Sequence, residues 1–251
     1  KTFDNGVICA SEQSVVVEKV IEKQVRDEFI KNKAYFLNKE ESEKLSKFFL
    51  RENGTINPEI VGKSAFYIAS KAGFIVPKDT SVLLSNQEVV SKSNPYSREK
   101  LCPVLAFYVE DNWEFACERC IELLINEGQG HTLVIYSNDE NIIREFALKK
   151  PVFRVLVNTP SAIGGIGATT NLFPALTLGC GALGGGSTSD NVSPMNLINI
   201  RAVGYGVRDL EYFTGNNSKK QEESINIDDY KNLDEETLKL VLSKLLEGMK
   251  A

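Results

Sequence analysis

Five cysteines, at positions 9, 102, 117, 120 and 180, and a single histidine, His131, are the side chains of this sequence most suited to nucleophilic, proton-transfer or metal chemistry. Cys9 follows the turn signal Asp4-Asn5-Gly6 and precedes residues 14–17, a β-branched run that reads as a buried strand. A thiol placed there sits on a loop with a sheet behind it, where a rigid scaffold can present a reactive group. Taken alone, a single Cys is more often a packing residue. Cys117-x-x-Cys120 has half the spacing of a zinc or redox motif. It lies inside residues 113–125, however, where Ala116, Cys120, Leu123 and Leu124 recur at helical spacing, and no second Cys or His pair follows. Two small apolar side chains on a helix face are expected, with no metal centre. An odd number of cysteines at irregular spacing does not make a disulfide framework, so reduced thiols are expected. Glu99, in a Ser-Arg-Glu-Lys loop, reads on its own as an exposed acid, and His131 as a strand-end residue.

The elements that must position these groups alternate along the chain. After the strand at 14–17 comes an amphipathic helix over 18–31, with Val20, Ile21, Val25, Phe29 and Ile30 on one face. Helices follow at 40–50 and 64–72, the latter stopped by Gly73. From residue 82 the pattern runs strand (82–84), strand (104–109), helix (113–125), strand (131–136), helix (140–149) and strand (153–157). Such alternation requires crossover connections, so the fold class is α/β with a mainly parallel sheet. Residues 161–194 are rich in Gly, Ser and Thr, a backbone able to bend and to approach other groups closely. Neither of its glycine clusters shows the strand, G-x-G-x-x-G and helix order of a dinucleotide fingerprint.

With 251 residues, 42% of them hydrophobic, the chain can bury a core. The net charge of -5, with both signs interspersed, gives no surface for nucleic acid. The sequence shows neither a secretory signal pattern nor a run of apolar residues long enough to span a membrane, and a cytoplasmic location is expected.

Five blocks, in order, carry a resemblance. They are Phe3-Asp4-Asn5-Gly6-Val7-Ile8-Cys9-Ala10-Ser11-Glu12-Gln13, Glu99-Lys100-Leu101-Cys102-Pro103-Val104, Gly130-His131-Thr132, Val157-Asn158-Thr159-Pro160-Ser161, and Leu183-Gly184-Gly185-Gly186-Ser187-Thr188-Ser189-Asp190-Asn191. Through nearly all of residues 1–206 the chain resembles the cysteine-bearing catalytic half of the coenzyme-A-acylating branch of the aldehyde dehydrogenase superfamily. That resemblance implies a three-layer α/β/α catalytic domain. It implies that Cys9 attacks a short-chain aldehyde, passes a hydride to NAD or NADP, and holds a thioester that coenzyme A collects. Backbone N–H groups around Cys9 become the local oxyanion donors; the family's Asn donor lies upstream of the nucleophile. Glu99 is expected to hold the nicotinamide ribose hydroxyls, although Cys102 stands where hydrolytic members usually have Gly. His131 invites a role as base toward the coenzyme A thiol. Thr159, Pro160, Ser161 and Ile163 are expected to line the acyl pocket.

The resemblance also divides the chain. Residues 1–195 are the catalytic domain, 196–213 an extended segment of the kind that pairs subunits into a homo-oligomer, 214–232 a linker, and 233–251 an amphipathic helix with an apolar stripe of Leu238, Val241, Leu242, Leu245 and Met249. That helix resembles the encapsulation tails that bind shell proteins of bacterial microcompartments; a surface helix folded back on its own domain is the other reading. In the family a cofactor domain precedes the nucleophile, so it is expected to be absent from this chain, which alone should bind nicotinamide cofactor poorly. Two other functions remain to be weighed: a hydrolytic aldehyde dehydrogenase releasing a carboxylate, and a non-catalytic microcompartment-binding module.

Overall fold

The computed structural model describes residues 1–51, 53–208, 210–214 and 239. Two units divide the chain, residues 1–198 and residues 199–251.

The first unit is built on a four-stranded parallel sheet in the order β1-β4-β3-β2, with β1 at Ser14–Glu18, β2 at Ala34–Phe36, β3 at Val82–Asn86 and β4 at Val104–Glu110. The central strand β4 is apolar at nearly every position because both its faces are covered. Val104, Ala106 and Tyr108 face one core with Leu83, under the helices α2 (Lys39–Phe49) and α3 (Ala65–Ala72). Leu105 and Phe107 face the opposite core with Val82 and Leu84, against Val25 and Phe29 of α1 (Glu22–Lys31). The period of two thus sends successive side chains into two different cores, and the sheet becomes the middle of three layers. On the α1 side Phe107 meets Phe36 edge-on at 5.3 Å and Phe29 at 6.4 Å, each pair adding about 0.5–1.5 kcal/mol beyond area burial.

The helices begin and end where their caps dictate. Asn38 and Glu41 form a reciprocal capping box on α2. Ser64 caps α3, and Gly73 ends it in the left-handed region at φ 86°, as its position in the sequence predicts. β2 is not anticipated by the sequence reading, since three residues are too few to show alternation.

Beyond β4 come α4 (Trp113–Asn126), β5 (Gly130–Ile135), α5 (Glu140–Lys149) and β6 (Val152–Val157). β5 and β6 pair in parallel with each other as a separate two-stranded sheet. The parallel arrangement is as expected, but it is divided between two sheets: an apolar run specifies burial and leaves the choice of neighbour open. Cys117 is buried, with Cys120 packed beside it, in a third core with Ile135 and Phe146. Burial pushes the Cys120 thiol up to about 12. Both are thus packing residues of the helix face, although Cys117 Sγ also lies 2.6 Å from Nζ of the buried Lys150.

The segment expected to run extended from residue 196 begins differently. Pro194–Leu197 form a 3-10 turn, capped by Ser193 and Asn196, and put residue 196 inside a turn. Residues 199–207 have no regular structure and expose Ile200, Val203, Tyr205 and Val207. A single helical turn covers Glu211–Thr214. Apart from Thr214 and Lys239, the expected linker at 214–232 and helix at 233–251 lie outside the described residues. No helix among the described residues is long and apolar enough to cross a membrane.

Candidate active site

The turn ahead of Cys9 is shaped by its glycine. Gly6 has φ 75°, and a Cβ there would stand 2.8 Å from the Cys102 carbonyl oxygen, so only the absent side chain lets this turn lie against the Leu101–Cys102 backbone. Cys102 is itself fully buried, its thiol raised to about 11 chiefly by that burial. The turn and the Glu99-to-Val104 block are therefore one packed unit.

Cys9 emerges from this support with an exposed side chain. The backbone N–H groups of Ala10 and of Cys9 itself point at the sulfur and lower its pKa, and the Arg154 guanidinium adds to this. Partial burial and then the Glu99 carboxylate act the other way and are stronger, so the thiol lies above its ordinary value. In this state Cys9 is a protonated thiol flanked by donors suited to an anion on or beside the sulfur.

Three distant segments converge behind it. Glu12 Oε1 accepts from the N–H of Ser161 at 2.8 Å, at the start of the short helix α6 (Ser161–Gly165), while Oε2 meets the Lys1 α-amino group at 2.7 Å. Gly165 lies so close to Ala10 that an added Cβ would be 3.3 Å from the Ala10 Cβ. Asn191, at the end of the glycine-rich block, is buried and donates to the carbonyls of Gly165 and Phe173. Its Oδ1 accepts from Arg154 Nε at 2.9 Å.

Arg154 ties the assembly together. It is 4% exposed, yet among the described residues its guanidinium has only neutral acceptors within hydrogen-bond reach: Asn191 Oδ1, His131 O, Thr132 Oγ1, Gly179 O and Ser189 O. A buried charge satisfied wholly by neutral dipoles keeps its field directed at neighbours. Here that field acts on Cys9 and on His131. Burial and Arg154 lower the His131 pKa, so the imidazole is neutral at physiological pH.

Arg154 thus reaches both Cys9 and His131, and the Glu99 carboxylate acts on Cys9 directly. Glu99 lines a surface cleft of about 250 Å³ with Leu50, Thr55, Ile56, Arg98 and Glu127. Its carboxylate makes no hydrogen bond among the described residues, its backbone N–H being the group that Glu127 accepts from. Burial, then Glu127, raises its pKa. A larger cleft of about 350 Å³, between Ser42 and Tyr96, contains none of the site residues. Of the expected acyl-pocket residues, Thr159 and Ser161 are buried, Ile163 is half-buried and Pro160 is exposed. Thr159 is paired with Thr169 and lies against Gly164. Sequence reasoning missed Glu12, Thr132, Arg154 and Asn191 as site residues. Arg154 had left one signal, a lone charge inside the otherwise apolar Val152–Val157 strand.

No family model matches the chain. Over 208 residues it is 44% identical to the bifunctional aldehyde-alcohol dehydrogenase of Escherichia coli, a match covering 81% of this chain and 23% of that protein. The structure of a probable aldehyde dehydrogenase from Listeria monocytogenes aligns with a TM-score of 0.80 and 60% identity, covering 84% of this chain and 46% of that one. An acetylating aldehyde dehydrogenase from Geobacillus thermoglucosidasius aligns with the same TM-score at 45% identity, again over 84% of this chain and 46% of that one. The chain spans about a quarter of the bifunctional relative and just under half of each solved chain, and it shares their fold.

Proposed function

We propose that this homologue of acylating aldehyde dehydrogenases carries the thiol half of their reaction: Cys9 takes up the acyl group of a short-chain aldehyde and passes it to coenzyme A. The observation that carries this reading is the exposed Cys9 sulfur, addressed by two backbone N–H groups and backed by the Arg154 cation. Once the Cys9 thiol has lost its proton to solvent, bond formation between the sulfur and the aldehyde carbon places negative charge on the former carbonyl oxygen, and the N–H groups of Ala10 and Cys9 are the donors at hand for it. Loss of a hydride from the thiohemiacetal leaves a thioester on Cys9. A nicotinamide cofactor, when bound, would supply the hydride acceptor. Glu99 suits its ribose, since its carboxylate is uncommitted among the described residues and opens on a cleft. In the last step the coenzyme A sulfur bonds to the acyl carbon, the Cys9 sulfur–carbon bond breaks, and the thiol proton ends on Cys9. His131, neutral and within the field of the same arginine, is assigned to the coenzyme A thiol at this step.

A hydrolytic enzyme or a non-catalytic module would have no use for acyl exchange with coenzyme A, which gives the test. The chain is incubated with acetyl-coenzyme A and its intact mass measured. One acetyl group is expected on Cys9, released again by free coenzyme A and absent in Cys9→Ala. A folded chain that gains no acetyl group on Cys9 would sink the proposal. The exposed side chains of Ile200, Val203, Tyr205 and Val207 are the residues through which copies of this chain would pair.

A further inference from the structure

Thr132 Oγ1 stands between two nitrogens, with Arg154 Nη1 at 3.2 Å and His131 Nδ1 at 2.8 Å. A guanidinium only donates, so the hydroxyl oxygen must accept from Arg154. Thr132 then has one hydrogen to place, and among the described residues His131 Nδ1 is its only other polar neighbour. Were Nδ1 protonated, Thr132 would accept from both sides, and its own hydrogen would have no acceptor at a half-buried site. With Nδ1 bare, Arg154 donates to Thr132, Thr132 donates to His131, and every group is matched. The arrangement cannot easily turn round. Arg154 is held by Asn191 Oδ1, Gly179 O and Ser189 O, and its Nη1 also donates to the His131 carbonyl at 3.3 Å.

We infer that Thr132, oriented by Arg154, is a positioning residue that fixes His131 as the Nε2–H tautomer, so that the imidazole offers coenzyme A or the thioester a hydrogen-bond donor in place of a base. The donor role rests on the proposed function; the tautomer stands on hydrogen-bond geometry alone. It replaces the base expected of a lone histidine. An imidazole whose Nε2 carries the hydrogen and whose Nδ1 is engaged cannot accept a proton on its free side. It can donate to the thioester carbonyl oxygen or to a thiolate as charge gathers there.

Because His131 is the only histidine of the chain, long-range proton–nitrogen NMR at neutral pH reads its tautomer without assignment. The wild-type chain should show a bare Nδ1 and a protonated Nε2. In Thr132→Val the Nδ1–H form, undetectable in wild type, should become detectable, and Thr132→Ser should abolish it again. A wild-type ring protonated at Nδ1 overturns the inference, as does an unchanged tautomer in folded Thr132→Val. Should Thr132→Val not fold, as its amide dispersion would show, the wild-type and Thr132→Ser spectra decide. The acetyl-transfer test is separate: failure to acylate Cys9 with the Nε2–H tautomer intact would reject the function and leave the tautomer standing.

Discussion

The carboxylate of Glu12, three residues past the proposed nucleophile, accepts a 2.8 Å hydrogen bond from the backbone N–H of Ser161, 149 residues further along the chain. The bond fastens the nucleophile loop to the first turn of α6, where N–H groups lack partners within the helix. Replacing Glu12 with Ala should cost about 1–2 kcal/mol, the usual loss when a helix start is left uncapped. Glu12→Gln keeps an acceptor for Ser161 and should cost less. Urea unfolding of the two variants beside wild type measures the difference.

Cys9 should not behave as a preactivated thiolate in the isolated chain. Partial burial and the Glu99 carboxylate hold its thiol above the ordinary range, so its alkylation by iodoacetamide should be slow at mildly acidic and neutral pH and rise through alkaline pH. Glu99→Gln removes a like charge, which must lower the Cys9 pKa and move the alkylation profile to lower pH. An unchanged profile in that variant would show that the two groups do not sense each other.

Gly165 and Ala10 set the depth of the loop. A methyl group at 165 would meet the Ala10 Cβ at 3.3 Å, so the loop must yield by a few tenths of an ångström next to the reacting sulfur. Displacements of this order slow reactions that depend on alignment, and Gly165→Ala should reduce the rate of Cys9 acetylation by roughly tenfold while changing the unfolding midpoint little. Gly6→Ala should do the opposite. It combines φ 75° with a 2.8 Å approach to the Cys102 carbonyl, and should lower stability by about 1–3 kcal/mol.

Lys100 should make stability depend on pH. Its side chain is 1% exposed, with Nζ donating to the carbonyls of Tyr96 and Arg98. Burial, and then the Lys1 charge, lower its pKa to about 7, against about 10.4 in an unfolded chain. Between these values the unfolded chain holds a proton that the folded chain has released, so stability must rise with pH there, by up to about 1.4 kcal/mol per unit. Below about 7 this contribution is flat and fully destabilising. Urea midpoints from pH 6 to pH 9 should climb in wild type and lose that slope in Lys100→Met.

Most helices and strands were legible because their signals are local. Ser64 and Gly73 bracket α3, and the β-branched run at 14–17 became β1 within one residue. β2 escaped because three residues carry no period, and the start of the supposed extended segment escaped because Ser193 and Pro194 favour a turn. The site was legible in its motifs and illegible in its wiring. Glu12 and Asn191 stood inside two of the blocks, but nothing in a linear sequence says that one reaches Ser161 and the other Gly165.

Residue types and their spacing along the chain supplied the chemistry on offer, one thiol behind a glycine turn, one imidazole, an acid in the loop at Glu99, and the alternation that makes an α/β sheet. Residue type and short-range period are properties of neighbours along the chain, and they survive without coordinates. Tertiary structure alone decided what those groups experience. The Cys9 thiol is raised by burial and by a carboxylate 90 residues away in the chain, His131 is held neutral by burial and then by Arg154, and the hydrogen-bond pattern of its ring follows from that arginine being held by acceptors drawn from five positions between 131 and 191. Electrostatic effects act across space through a low dielectric, and distance along the chain does not measure them.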